Sequence, residues 1–164
     1  MARWLVKSDP EDYAFADLER DGRTEWTGVH NALALRHLRS MAPGDAVLVY
    51  HSGGERAAVG LARVESVPRP DPRDARGSWT VTLAATRRLA RAIPLDELRR
   101  VPGLDGFVLF RMGRLSVLPV SAREWARVLA RESLAAAPRP TGSPAARARA
   151  TGSPRRGSAE RRRR

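Results

Sequence analysis

Cysteine is absent from the 164 residues. That excludes disulfides, thiolate zinc sites and thiol nucleophiles, and it leads to the expectation of a reducing compartment, the cytoplasm. No apolar run approaches the roughly 20 residues of a membrane span, and Arg3 and Lys7 are followed by no signal-peptide core, so a soluble intracellular protein with no membrane partner is expected. Glycine-rich phosphate loops, metal-spaced histidine pairs and nucleotide fingerprints are also missing, and neither a metal nor a cofactor is expected. Lysine is the scarcest cation. Of 30 cationic side chains only Lys7 is a lysine, within Trp4-Leu5-Val6-Lys7-Ser8-Asp9-Pro10. Arginine is a wide planar fork and lysine a compact, flexible point charge, so a position that keeps lysine in so arginine-rich a chain suggests a narrow site. The plainer reading, a lysine surviving by chance at a strand end, stays beside it.

The length suits one domain with a genuine core. The formal charge of +12 is unevenly placed: from Ala136 onward there are nine Arg against one Glu, leaving 21 cations and 17 acids in the body. That last stretch is built from Ala, Arg, Pro, Gly, Ser and Thr and repeats Thr-Gly-Ser-Pro at Thr141 and Thr151. Such a composition buries too little to order itself, so the expected organisation is a domain over 1–134 and a disordered Arg-rich tail over 135–164. A tail of this kind favours polyanions by counterion release, and a solvated extension without function is the alternative.

Alternation over Arg3–Lys7 reads as a first strand ending at the Asp9-Pro10 turn. Phe15–Arg20 suits a short helical turn and Thr24–Trp26 an extended piece. Asn31 is a plausible N-cap for a helix from Ala32 to about Met41, with Leu35 and Leu38 facing inward. Ala46–His51 is an apolar strand, and Gly53-Gly54 turns it into a second strand from Ala57 to Val67. Trp79–Leu83 resumes the period of two after a proline-containing loop. A short helix from Leu95 to Arg100 and a strand from Leu115 to Val120 follow. Ser121 with Glu124 is a capping box that opens a last helix, with Trp125, Val128 and Leu129 on one face. The strands show no βαβ rhythm, which points to a small curled sheet in an α+β domain.

Three segments hold polar and aromatic residues where such a sheet brings loop ends together: Lys7-Ser8-Asp9, Trp26-Thr27-Gly28-Val29-His30-Asn31 and Tyr50-His51-Ser52. Arg111, Arg114 and Ser116 form a weaker fourth. Trp4, Trp79 and Trp125 occupy periodic apolar positions and read as core. Trp26 is flanked by polar residues and Gly28, which leaves it open between core and ligand stacking. His51 can equally be a satisfied strand-end histidine, and Arg114 can simply pair with an acid such as Asp105. A hydrolase would use Ser8 or Ser52 as nucleophile, His51 as base and Asp9 or Asp45 as orienter. Adjacent Ser and His on one strand face opposite ways, however, and no nucleophile elbow is present.

These same motifs, with Arg114-Leu115-Ser116-Val117-Leu118-Pro119-Val120 and Trp125, resemble the EVE domain family from about Ala2 to Leu129. The resemblance implies a PUA-like mixed β-pseudobarrel with short flanking helices, related to the YTH readers of methylated adenine. It implies a module that reads a modified, flipped base in nucleic acid, a cytosine derivative in DNA being favoured and RNA possible. By the same resemblance Lys7, Ser8 and Trp26 belong to the base pocket, with Asp9, Gly28, Val29, His30, Asn31, Tyr50, His51, Ser52, Arg114 and Ser116 around it. Two positions depart from the family pattern, Asp9 in place of Glu and His30 in place of Arg. A small Ser/His hydrolase and a non-specific RNA- or DNA-binding accessory acting through its tail are the alternatives; oligomeric state is left open.

Overall fold

The computed structural model describes residues 1–134. The elements in chain order are β1 (Arg3–Ser8), α1 (Phe15–Asp21), β2 (Arg23–Trp26), α2 (Ala32–Arg39), β3 (Ala46–His51) and β4 (Ala57–Val64). They continue with β5 (Arg69–Pro70), β6 (Trp79–Pro94), α3 (Leu95–Leu98), α4 (Val108–Arg111), β7 (Val117–Pro119) and α5 (Ala122–Glu132). The strands form one mixed sheet in the order β2-β6-β4-β3-β1-β7, with β5 attached to β6. β1 and β3 run parallel, with Lys7 beside Tyr50 and Ser8 beside His51, and the other pairs are antiparallel. A parallel pair needs a long crossover, and α1, β2 and α2 supply it.

The sheet curls because its longest strand is irregular. Along β4 the step from Ala58 to Gly60 is two residues, while the paired step along β6 runs from Ile93 to Arg88, and a further slip lies at Leu61/Ala62. Such bulges bend a strand and raise its twist. The core on the two faces of the sheet includes Leu5, Val6, Leu48, Leu83, Ile93 and Leu118, each under 2 % exposed. Phe15, at the start of α1, lies so close to β4 that a Cβ on Gly60 would stand 2.3 Å from its ring. Glycine is therefore dictated there by contact. Asp45 clasps the opposite end of β1: its carboxylate accepts from the Trp4 indole at 2.9 Å and from the backbone of Ala2 and Ala42. Burial works against that charge, yet these three bonds outweigh it and hold Asp45 below the usual carboxylate range.

Two capping signals are realised. Asn31 Oδ1 accepts from Leu33 and Ala34 at the head of α2, and Ser121 and Glu124 satisfy each other's backbone at the head of α5. Several boundaries differ from the sequence reading. β6 continues eleven residues past Leu83, β4 stops at Val64, and the proline loop contains β5. On α2 the buried residues are Ala34 and Leu38, while Leu35 is half-buried on its flank. The segment from 135 onward, including the Thr-Gly-Ser-Pro repeats and most of the arginine excess, lies outside the described residues.

Candidate functional site

The strand path begins at β2 and ends at β7, and the curl brings these two ends to face one another across an unclosed seam. A cleft of about 440 Å³ occupies the seam, lined from one side by Lys7, Ser8 and Ser116 and from the other by Thr24, Glu25, Trp26, Thr27, Gly28 and Val29. Asp9, Asp12 and Tyr13 form its rim. That volume lies in the range of small-molecule clefts, roughly 300–1,000 Å³.

Each wall has a local cause. Beyond Ser8 the chain folds back, with the Asp12 and Tyr13 amides donating to the Asp9 carbonyl and the Ser8 hydroxyl donating to the Tyr13 carbonyl at 2.5 Å. Lys7 crosses toward the loop after α4, donating to the carbonyls of Gly113 at 2.9 Å and Met112 at 3.4 Å. Its ammonium stands 6.0 Å from the centre of the Tyr50 ring. Half-burial lowers the Lys7 pKa from the ordinary lysine value. Two convergent carbonyls at the end of a partly buried stem suit a compact ammonium, which gives the single lysine a physical reason. Glu25 accepts from Thr82, Thr80 and Arg69. Burial opposes its charge, but those donors prevail and hold the carboxyl below its usual range. The wall therefore presents an ionised carboxylate. Trp26 is 8 % exposed, packed against the core on one side and bordering the cleft on the other. Gly28, at a φ of 76°, lets the chain turn away from it.

Six of the residues expected around the cavity stand elsewhere. Asn31 spends its side-chain oxygen on the α2 cap. His30 pairs with Asp74 and receives Arg76 on its other ring nitrogen at 3.1 Å, fastening the loop before α2 to the loop before β6. Tyr50 is 3 % exposed, with its phenol pushed up to about 12 by burial. His51 is 5 % exposed; its Nε2 accepts from the Phe15 amide at 2.9 Å and its Nδ1 meets Glu55 at 2.7 Å. Ser52 and Arg114 do not line the cleft. Sequence reasoning in turn missed Asp12, Tyr13, Thr24, Glu25 and Thr27. The Asp9-Pro10 turn was the available signal for Tyr13, since such a turn folds the chain back over the strand it ends.

The geometry also bears on nucleophilic chemistry. Both nitrogens of His51 are engaged, Asp45 is spent on Trp4 and backbone, and the Ser8 hydroxyl points at a carbonyl, so the three make no nucleophile, base and orienter. Among the described residues no group of three or more His, Asp or Glu side chains could hold a metal ion, and no helix is long and apolar enough to cross a membrane.

Comparison with protein families matches the EVE domain over residues 2–131. The chain belongs to the EVE domain family. Human thymocyte nuclear protein 1 is 29 % identical over 166 residues, covering 80 % of this chain and 74 % of that protein. The solution structure of Rpa0253 from Rhodopseudomonas palustris superimposes with a TM-score of 0.75 at 34 % identity, covering 79 % of this chain and 92 % of that one. The human THYN1 protein, crystallised in complex with DNA containing 5-methylcytosine, superimposes with a TM-score of 0.75 at 27 % identity, covering 83 % of this chain and all of that one. The curled mixed half-barrel with its short helices is thus the EVE, PUA-like architecture.

Proposed function

We propose that this EVE domain is a nucleic-acid-binding module that takes a modified, flipped base, a cytosine derivative in DNA, into the seam cleft. The observation that supports it most is the cleft itself: one indole wall, one lysine, and hydroxyls and carboxylates on a hollow of about 440 Å³. Likeness to a protein crystallised with 5-methylcytosine DNA supports the choice of ligand. Extruding a base costs a few kcal/mol, and stacking on an aromatic face returns roughly 1–3 kcal/mol, so polar contacts must decide the balance. Carboxylates accept from the exocyclic amino group of cytosine, and Asp9 puts one at the cleft, the Glu25 carboxylate being held by Thr80, Thr82 and Arg69. Ser116 offers a hydroxyl to the base edge, the Ser8 oxygen can accept from it while its proton stays on the Tyr13 carbonyl, and Lys7 supplies the one cation on the lining.

A single added methyl in an apolar slot is worth about 1–3 kcal/mol. The preference for the methylated base should accordingly be modest. Titration of the full chain against two duplexes that differ only in one 5-methylcytosine tests this, with a preference of roughly ten- to two-hundredfold expected. Equal affinity for the two duplexes would contradict the reading. The same pair built in RNA decides between the two nucleic acids. Arginines beyond residue 135 would add salt-dependent affinity that is blind to the base, since counterion release carries no sequence information.

A further inference from the structure

A second cleft, of about 430 Å³, lies on the outer side of α2, lined by Ala32, Leu35, Arg36, Arg39 and Ser40. We infer that this face carries phosphates of the same strand whose base enters the seam cleft, with Arg36 and Arg39 as the contacts. The proposal rests on the base-reading proposal only for the direction of the strand.

Three observations converge on it. Spacings of three and four residues place the lining side chains on one stripe of the helix, with the buried Ala34 and Leu38 on another. That stripe carries positive charge alone. Arg36 and Arg39 are exposed, neither meets a carboxylate among the described residues, and the first turn of α2 holds no acid. Second, the Arg39 guanidinium lies 4.3 Å over the Trp79 ring, a cation–π contact that anchors it on this face and uses none of its N–H donors. Third, the two clefts are consecutive in the chain. The seam cleft ends at Val29 and the helix face begins at Ala32, with only His30 and Asn31 between them. Those two are fixed, His30 by Asp74 and Arg76 and Asn31 by the cap, so the offset between base wall and cationic stripe is held constant. Positions near the helix C-terminus also suit cations through the dipole, but that effect engages none of the guanidinium N–H donors.

The test compares the full chain with its Arg36→Gln/Arg39→Gln and Arg36→Lys/Arg39→Lys forms, on duplexes with and without one 5-methylcytosine, across a salt series. Each phosphate contact contributes about 0.9 to the slope of log affinity against log salt on duplex DNA. The Gln pair should therefore flatten the slope by about 1.8, so that the loss of affinity between 50 and 200 mM salt becomes about tenfold smaller. Affinity at low salt should fall by one common factor for both duplexes, leaving the ratio between them intact. The Lys pair should retain most of the slope. An unchanged slope in the Gln pair would overturn the inference, and so would a Lys pair that loses the slope as fully, since the loss would then come from structure and not charge. A wild-type chain that binds both duplexes equally would instead sink the base-reading proposal, and the slope would still report on α2.

Discussion

Lys7-Ser8 and Tyr50-His51 end neighbouring parallel strands in matched register, yet they have opposite fates. The first pair lines the cleft, and the second is sunk in the core. The difference lies in what flanks each strand. β3 has β1 on one side and β4 on the other, and α1 lays Phe15 across its end, so His51 becomes the acceptor for the Phe15 amide. β1 has only the three-residue β7 beyond it, so its end opens on the seam. Polar residues at the same end of one sheet thus need not meet. Which strand lies next to the unclosed edge decides which of them reach a ligand.

The largest expected effect is on the buried side. Gly60→Ala drives a methyl into the Phe15 ring with both neighbours held by the sheet, and should cost about 3 kcal/mol. Thermal unfolding monitored by circular dichroism would show this as a midpoint lowered by about 10 °C. His51→Ala comes next. It strands the Phe15 amide in the interior, at about 2 kcal/mol by chemical denaturation, while the ratio of affinities for methylated and unmethylated duplexes stays that of wild type. A changed ratio would return His51 to the site and break the comparison.

On the cleft side the pattern reverses. Lys7→Arg places a fork where two carbonyls converge on a point charge, so binding of the methylated duplex should weaken about tenfold, or about 1.4 kcal/mol. The melting midpoint should stay within a few degrees. A smaller effect separates the two regions by pH. Asp45 and Glu97 both titrate below their ordinary values, Glu97 chiefly through its bonds from Arg91. Carboxylates depressed in the folded state stabilise it above their unfolded pKa and lose that contribution as pH falls through the folded one. Stability should thus decline below about pH 4.5, the ordinary value for Glu. Lys7 is lowered from 10.5, so its proton leaves early and binding should fall as pH rises from neutrality toward 10. Above 10 the buried Tyr50 phenol, raised to about 12, withdraws its own contribution and the fold weakens as well. Melting curves and titrations over one buffer series would check both limbs.

Local signals made most of the fold legible. The Asn31 N-cap, the Ser121–Glu124 capping box, the Asp9-Pro10 turn, the alternation in β1 and the apolar run of β3 each act within a few residues, and each is where the sequence placed it. β6 was legible only as far as Leu83, because its bulges against β4 reset the period of two and put Thr86, Arg87 and Arg88 on an exposed stretch. For the cleft, lysine's scarcity and the polar flanks of Trp26 led to two walls. Glu25 was invisible because its partners Thr80, Thr82 and Arg69 lie far along the chain, and Asn31 was ambiguous because one side chain suits both a cap and a base edge.

Most direct is an NMR measurement on the full chain bound to a duplex carrying one ¹³C-methyl-labelled 5-methylcytosine. Nuclear Overhauser contacts from that methyl to the indole of Trp26 and the side chain of Ser8, with none to the Tyr50 ring, are the expected result, together with loss of the imino signal from the paired guanine. A methyl that touches only neighbouring bases, with the imino proton in place, would mean that the base never leaves the stack and that the seam is not its pocket.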